Sequence, residues 1–302
     1  MTITQDASPA ITLGPVLCGT VVCKDLASSI KAYTEYLGVT VFEEGNIDAE
    51  QAIAWGLPDL LGKRYALMNN TLGDNWLRFI EQPDADIVTP ISTQGWLSLE
   101  ILVSDIYALA ERFEDSPFTI IGPPKALELS DGIEAFQATG PSGEVLYLTR
   151  IVHDVPPFDL PRARCDVDRL FIPVLLVPDI EPSMALYSQL SHSNPLAFET
   201  KVTVINNALG RPLEQRMPIA TIQFKEQTFI EIDEVSELPP RPVTGSGLPT
   251  GIAVVSFLVD NLDDVTLTAH GTITRFNSGL YQGRRSALYK GTAGEFIELI
   301  ER

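Results

Sequence analysis

Residues 16–38 read VLCGTVVCKDLASSIKAYTEYLG, and residues 171–190 read FIPVLLVPDIEPSMALYSQL. Both stretches start with an apolar run that predicts a β-strand and continue with apolar residues at helical spacing. Asp25 and Asp179 stand at the two junctions, where a short polar side chain caps the first amides of a helix. Each aspartate is followed by a serine after four residues and by a tyrosine after eight. Each stretch therefore predicts a strand followed by a helix, and together they indicate an internal repeat.

The repeat continues through three further pairs of segments. The segments of the first half are NWLRFIEQ (75–82), SLEILVSDIYAL (98–109) and GPSGEVLYLTR (140–150). Their counterparts in the second half are QTFIEIDE (227–234), VVSFLVDNLDDV (254–265) and GTAGEFIELIER (291–302). The two segments of each pair lie about 150 residues apart, which indicates that one structural unit occurs twice.

Polar connectors that contain proline divide each half again. The sequence predicts a first domain at 12–152, a linker at 153–168 and a second domain at 169–302. The domains divide into modules at about 12–82, 95–152, 169–235 and 250–302. One amphipathic helix and several short strands per module predict an α+β fold. We expect four βαβββ modules that form two curved mixed sheets, with the helices outside and a cleft enclosed by each pair of modules.

Composition excludes several classes of partner. The chain has 40 acidic and 21 basic side chains and a net charge of −19, which disfavours nucleic acids and anionic membranes. The first residues, MTITQDASPAITLG, lack the pattern of a signal peptide, and no apolar run is long enough to cross a membrane. Three cysteines suit a reducing compartment. We therefore expect a cytoplasmic protein whose partner is a small molecule, and a homodimer stays open.

The sequence resembles the vicinal oxygen chelate superfamily, which includes glyoxalase I, the extradiol dioxygenases and the bleomycin-resistance proteins. The resemblance rests on a strand, an aspartate and a helix at Val22–Leu26, Val103–Ile106 and Val177–Ile180, and on closing strands at Gly143–Thr149 and Gly294–Ile300. It covers the chain from about Pro15 to Arg302. The resemblance implies a four-module tandem form of this fold, in which two modules enclose one site.

The resemblance also implies positions for a divalent metal. Metal-using members place a histidine on the first strand of a module and a glutamate on its last strand. The matching residues here are Cys18, Ser98, Ile172 and Val254 on first strands, and Arg78, Tyr147, Glu231 and Glu298 on last strands. Only the two glutamates match. We therefore expect no cofactor; a divalent metal held by Glu231 and Glu298 stays an alternative, with its histidine ligands missing.

Eight residues are candidates for a site. Glu298, Glu231 and Tyr147 are the catalytic candidates, because two inward carboxyls can exchange protons and a phenol can orient a ligand. Arg78 would clamp an anion. The remaining binding candidates are Cys18, Ser98, Glu100 and Trp76. The three histidines, at 153, 192 and 270, stand next to turn residues and predict surface positions.

Three functions remain open from the residues. The leading hypothesis is a metal-free or weakly metal-dependent protein that binds a planar or anionic organic compound and performs isomerase- or lyase-type acid–base chemistry. The alternatives are a non-catalytic sequestering protein and a divalent-metal lyase or dioxygenase with other ligands. Two pairings of the modules also remain open. Pairing in chain order would bring Glu231 and Glu298 together, whereas pairing the first module with the fourth would join Arg78 to Glu298.

Overall fold

The computed structural model describes residues 10–128 and 130–302. Most of the N-terminal segment on which the prediction of no signal peptide rests lies outside these residues. Within the described part of the chain, no helix has the length and apolar character needed to cross a membrane.

The first half of the chain contains eight strands and three helices in two modules. The first module comprises β1 (Leu13–Cys23), α1 (Leu26–Leu37), β2 (Thr40–Asn46), α2 (Ala49–Trp55), β3 (Arg64–Asn69) and β4 (Asn75–Glu81). The second module comprises β5 (Gly95–Val103), α3 (Ile106–Phe113), β6 (Thr119–Ala126), β7 (Ile133–Thr139) and β8 (Val145–Ile151).

The second half repeats this order with one exception. The third module comprises β9 (Val167–Val177), α4 (Ile180–Ser191), β10 (Pro195–Thr200), α5 (Thr203–Ala208), β11 (Met217–Gln223) and β12 (Phe229–Glu234). The fourth module comprises β13 (Gly251–Val259), β14 (Thr274–Phe276), β15 (Arg284–Lys290) and β16 (Phe296–Glu301). A single 3-10 turn at Leu262–Asp264 replaces its helix. The β-branched residues and the glycine that follow this turn disfavour a longer helix.

The predicted aspartate caps are present at the helix starts. The side chain of Asp25 accepts a hydrogen bond from the amide of Ser28, and that of Asp179 accepts one from Glu181. Asp105 accepts from two amides at the start of α3. These bonds satisfy donors that have no partner inside the helix, and they explain why the repeated aspartates mark the helix starts.

The strands form two eight-stranded mixed sheets. Sheet 1 has the order β14-β15-β16-β13-β1-β4-β3-β2, and sheet 2 has the order β10-β11-β12-β9-β5-β8-β7-β6. The first strands of two modules pair antiparallel at the middle of each sheet, β1 with β13 and β5 with β9. The predicted α+β fold of four modules in two mixed sheets is confirmed.

Each sheet takes one module from each half of the chain. Sheet 1 joins the first module to the fourth, and sheet 2 joins the second to the third. The boundaries at 12–152 and 169–302 therefore do not coincide with the two sheets. The segment 153–168, predicted as a linker, connects the two modules of sheet 2. Two residues of this segment, Phe158 and Leu160, line a cavity.

One hydrophobic core lies between the two sheets and contains three of the helices. It includes Leu26 of α1, Leu109 of α3 and Leu190 of α4, together with apolar residues from both sheets. Cross-sheet hydrogen bonds reinforce this layer: Tyr33 donates to Glu144 at 2.7 Å, and Tyr187 donates to Glu295 at 2.9 Å. The helices α1, α3 and α4 thus lie on the side of each sheet that faces away from its cleft, as predicted for the helix of a module. The opposite, concave sides of the two sheets form two clefts.

The short helices α2 and α5 lie on the inner sides of the sheets. Trp55 at the end of α2 packs in a cluster with Leu248 and Phe296 of sheet 1. Val204 of α5 lines the cavity of sheet 2. We call the concave side of sheet 1 cleft 1 and the concave side of sheet 2 cleft 2.

A close backbone approach at Gly271 gives a test of this arrangement. A Cβ atom at residue 271 would lie 2.2 Å from the carbonyl oxygen of Ala54 and 2.4 Å from the amide nitrogen of Gly56. Because both neighbours are backbone atoms, we expect Gly271→Ala to lower the free energy of unfolding by about 1–3 kcal/mol in urea titrations. Gly245→Ala is the control, since its Cβ would meet nothing within 4 Å; equal effects of the two variants would contradict this contact.

Candidate functional site

An ion pair occupies the centre of cleft 1. Arg78 of β4 donates to Glu298 of β16 at 2.9 Å, and Arg78 also donates to the hydroxyl of Thr20 at 3.0 Å. The guanidinium carbon lies 4.6 Å from the ring centroid of Trp55. Both charged side chains are buried. Of the two pairings that the sequence left open, the structure contains the one that joins Arg78 to Glu298.

Glu298 has hydrogen-bond donors on both carboxylate oxygens. Besides Arg78, the donors are Ser256 at 2.6 Å, Tyr281 at 2.8 Å, Trp55 at 3.1 Å and Ser286 at 3.2 Å. Burial alone would raise the pKa of Glu298, but the charge of Arg78 and these hydrogen bonds hold it below its ordinary value. The pKa of Arg78 is raised by Glu298, against the opposite effect of burial. Glu298 is therefore a permanently ionised structural partner, which argues against its predicted role as a base.

Little space is left in cleft 1. A cavity of about 70 Å³ remains beside Arg78, lined by polar residues that include Glu43, Asp48 and Tyr65. Cys18 lies nearby in an apolar cluster, and burial raises the pKa of its thiol to about 12. A thiol with this pKa is protonated at neutral pH, which makes it a poor nucleophile.

Cleft 2 contains a much larger cavity. Its volume is about 370 Å³, within the range of sites that bind small organic molecules. Four phenylalanines form much of its apolar wall, namely Phe158, Phe171, Phe198 and Phe229. Lys125 and Lys201 lie among the lining residues, and Lys201 is paired with Glu128 and Glu214. The cavity is therefore apolar along its walls, with charged groups at particular points.

Two carboxyls and a phenol line this cavity. Glu100 comes from β5, Tyr147 from β8 and Glu231 from β12. Glu100 accepts a hydrogen bond of 2.6 Å from Thr149. The hydroxyl of Tyr147 has no hydrogen-bond partner among the described residues, although it is buried. The structure thus brings together three of the residues that the sequence predicts for a site.

A third carboxyl lies on the same face of β12. Asp233 follows Glu231 by two residues, so both side chains point to the concave side. Asp233 is fully buried, and neither of its oxygens has a hydrogen-bond partner within the described ranges. Asp233 was not among the residues predicted for a site, although the alternation in FIEIDE places it beside Glu231. Asp233 does not itself line the cavity. We call the lining residues Glu100, Glu231 and Tyr147, together with Asp233 next to them on the same face, the cavity floor.

Burial governs the protonation of the cavity floor. It raises the pKa of Glu100 to about 8, with a further contribution from the charge of Glu231, and raises the pKa of Glu231 to about 7. The pKa of Asp233 is raised well above its ordinary value by burial and then by Glu231 and Glu100. These effects show that the three carboxyls interact across the concave face. Near neutral pH the floor holds protons that it can release.

The remaining predicted residues lie outside this cavity. Trp76 is buried in the core between the sheets. The pairing of β3 with β4 shifts register between Met68–Leu77 and Asn69–Asn75, so Trp76 does not share the cleft face of Arg78. The structure therefore corrects the prediction of Trp76 as a ligand contact. Ser98 is buried in sheet 2 and does not line the cavity. His153, His192 and His270 are exposed, and the Nδ1 atom of His270 lies 2.9 Å from the carbonyl oxygen of Trp55.

The donor sets do not fit the metal that the resemblance implies. Glu231 and Glu298 lie in different sheets and cannot share an ion. At the positions that the resemblance implies, cleft 1 has the cation of Arg78 beside Glu298. At the same positions cleft 2 has Ser98, Ile172 and Tyr147, with Glu231 as the one carboxyl. No group of three or more potential metal ligands occurs among residues 10–128 and 130–302. We derive no chemical step through a metal.

Solved structures share this architecture along nearly the whole chain. Glyoxalase I from Zea mays is 18% identical, with 95% of this chain and 92% of that chain covered and a TM-score of 0.61. A putative dioxygenase from Bacillus subtilis is 10% identical, with 97% and 86% covered and a TM-score of 0.62. The chain has the vicinal oxygen chelate fold. No family profile and no curated protein matches the sequence. At these identities the likeness shows the vicinal oxygen chelate fold and leaves the activity to the residues of the two clefts.

Proposed function

We propose that this protein binds a small organic molecule with a planar or apolar body in the large cavity of cleft 2 and transfers a proton on it. The observation that carries the proposal is the cavity of about 370 Å³ with Glu100, Glu231 and Tyr147 on its surface. Apolar walls with a few converging polar groups are typical of small-molecule sites. In cleft 1 the Arg78–Glu298 ion pair occupies the corresponding position.

The environments of the floor residues support particular roles in this proton transfer. Glu231 is half-buried on the cavity surface, and with a pKa of about 7 it is suited to accept a proton near neutral pH. Glu100, with a pKa of about 8 and Thr149 bound to one of its oxygens, holds a proton that it can donate. Burial keeps Tyr147 protonated, because its pKa is raised well above the ordinary value. Its hydroxyl can therefore orient an oxygen or nitrogen of the ligand.

If Glu231 is the base, a variant with the same shape that cannot accept a proton should lose proton exchange on the ligand. We expect Glu231→Gln to slow proton exchange at the reacting carbon by about 10²–10⁴-fold, because the amide cannot act as the base. The measurement is the loss of ligand proton signals by NMR in D2O, after a thermal-shift screen of planar carbonyl compounds. Glu199→Gln is the matched control, since Glu199 is exposed on β10 between the lining residues Phe198 and Thr200. Equal exchange rates in both variants would refute the role of Glu231.

A cavity-blocking variant tests the location of the site. Thr221 lines the cavity, so Thr221→Trp should abolish binding of any compound found in the screen. Ala197→Trp adds the same ring at an exposed position on β10 and should bind normally. Unchanged binding by a folded Thr221→Trp protein would place the site elsewhere.

A non-catalytic sequestering protein is the second candidate. The absence of matched metal ligands favours it, because the same cavity would bind a compound without the usual chemistry of the fold. Saturable binding without proton exchange in the wild-type protein would support sequestration and contradict the acid–base proposal.

A further inference from the structure

The carboxyl groups of the cavity floor are hydrogen-bond acceptors that have no basic side chain next to them. Glu100, Glu231 and Asp233 receive one hydrogen bond among the described residues, from Thr149 to Glu100. No salt bridge joins any of the three to a basic side chain within residues 10–128 and 130–302. The three carboxyls therefore lack the partner that buried acids ordinarily have.

The basic groups of the cavity do not supply that partner. Lys201 is bound to Glu128 and Glu214, and Lys125 is exposed and donates to the hydroxyl of Thr203 at 3.3 Å. Neither lysine lowers the pKa of a floor carboxyl, whereas the carboxyls raise the pKa values of one another. Arg78, which the sequence suggested as an anion clamp, is engaged in cleft 1. An anionic ligand would meet repulsion at the floor.

Tyr147 gives an independent indication of a ligand. Its buried hydroxyl lines the cavity and has no hydrogen-bond partner in the described part of the chain. The charges that act on it most are those of Asp233, Glu231 and Glu100, in that order. A phenol oxygen beside three carboxyls presents further acceptor capacity to the same space.

The wall adds aromatic surface around this floor. The ring centroid of Phe158 lies 6.5 Å from that of Phe198 and 6.4 Å from that of Phe229. Aromatic faces attract organic cations and also pack against apolar groups. An ammonium group has three donors and no acceptor, which is the complement of the floor.

We propose that the ligand of cleft 2 is an organic cation, a protonated amine with an aromatic or apolar body, whose ammonium group contacts Glu100, Glu231 and Tyr147 on the cavity surface. The buried Asp233 lies beside this contact on the same face of the sheet. This inference rests on the proposed function and names its substrate class. Binding of the cation favours the ionised carboxyls, so protons leave the floor as the ammonium enters. The same step converts Glu231 into the carboxylate that the proposed proton transfer needs as its base.

Three probes of similar shape and different charge test the proposal. They are 2-phenylethylammonium, 2-phenylethanol and 3-phenylpropionate, titrated calorimetrically at pH 7.5 in phosphate and in Tris. We expect the ammonium probe to bind at least tenfold more tightly than the alcohol, and the carboxylate to bind most weakly. The difference in enthalpy between the two buffers should report proton release with the ammonium probe and none with the alcohol.

Variants separate the charge from the shape of the cavity. Glu100→Gln and Glu231→Gln should each raise the dissociation constant of the ammonium probe at least tenfold. The dissociation constant of the alcohol should stay within about twofold of the wild-type value. Glu199→Gln carries the same change in net charge outside the cavity and should bind all three probes like the wild type. The glutamine variants resemble the protonated carboxyls that the empty cavity holds, so we expect them to fold.

The outcomes distinguish this inference from the proposed function. If the alcohol binds as tightly as the ammonium probe and no protons are released, the cation inference is wrong and the cavity remains a binding site. If none of the three probes binds and Thr221→Trp leaves every screened interaction unchanged, both proposals fail.

Discussion

Replacement of Arg78 by methionine is expected to lower the free energy of unfolding by about 3–5 kcal/mol. The reason is that Glu298, which is fully buried, would lose the only charged partner it has among the described residues and keep an uncompensated charge. Hydrogen bonds from Ser256 and Tyr281 would remain, but neutral donors do not balance a buried carboxylate. Urea titrations followed by circular dichroism give the change.

The double variant Arg78→Met/Glu298→Met isolates the effect of the unpaired charge. Removing both partners leaves no buried charge, so we expect stability to return to within about 1–2 kcal/mol of the wild type. Arg64→Met is the matched control, because Arg64 is half-exposed and its ion pairs with Glu44 and Glu81 contribute about 0–1 kcal/mol. A loss of less than about 1 kcal/mol for Arg78→Met, or no recovery in the double variant, would contradict this account.

The ion pair also explains why the two clefts differ. A guanidinium beside Glu298 satisfies the carboxylate with a cation that belongs to the chain itself. Cleft 2 has Tyr147 at the position of Arg78, and Glu231 there has no such partner. One cleft is therefore closed by its own charges, whereas the other keeps both space and unpaired acceptors.

The sequence contained much of the fold because local signals repeat. Asp25, Asp105 and Asp179 each follow a buried strand and each cap a helix in the structure. The resemblance also singled out Glu231 as a last-strand residue, and Glu231 lines the cavity of cleft 2. These features depend on neighbours within a few positions, and a single sequence records them directly.

The pairing of modules could not be read in the same way. Both pairings bury the same faces of β1, β5, β9 and β13, so hydrophobic periodicity does not distinguish them. The choice decides whether Glu298 meets Arg78 or Glu231, and hence which cleft remains open. The contribution of Phe158 to the cavity was also hidden, because its segment has the composition of a linker.

The last helix was overpredicted for a related reason. Asn261 accepts a hydrogen bond from the amide of Asp263, so the cap is present. The residues after it lack a continuous apolar face, and only a 3-10 turn forms between Leu262 and Asp264. A cap starts a helix, but packing of one face maintains it.

The free energy of unfolding is expected to fall as the pH rises from about 5 to 8. Glu144 and Glu295 are buried between the sheets, and burial raises the pKa of each to about 7. In the unfolded chain both carboxyls titrate near their ordinary value of about 4.3. Between these values the folded state binds more protons than the unfolded state, so stability present at low pH is lost as the pH passes through the folded-state values.

Other groups do not reverse this sign in the same range. Glu144 faces the hydroxyl of Tyr33 and the amide of Ser142, and Glu295 faces Tyr187 and the amide of Ala293. None of these donors is positively charged. Carboxyls with lowered pKa values, such as Glu298, titrate below the window. The net charge of −19 adds self-repulsion that increases with pH.

Glutamine variants at the two repeated positions measure this dependence. In Glu144→Gln and Glu295→Gln the amide oxygen can accept from the backbone amide while the NH2 group donates to the tyrosine hydroxyl, so the shape is kept. Neither side chain can ionise. We expect each variant to remove about 1–3 kcal/mol of the difference in free energy of unfolding between pH 5 and pH 8. The double variant should remove about the sum of the two single effects, because the Tyr33–Glu144 and Tyr187–Glu295 pairs belong to different halves of the repeat. Glu199→Gln should leave the slope unchanged, since Glu199 is exposed. A wild-type protein that becomes more stable between pH 5 and pH 8 would show that these carboxyls are ionised between the sheets.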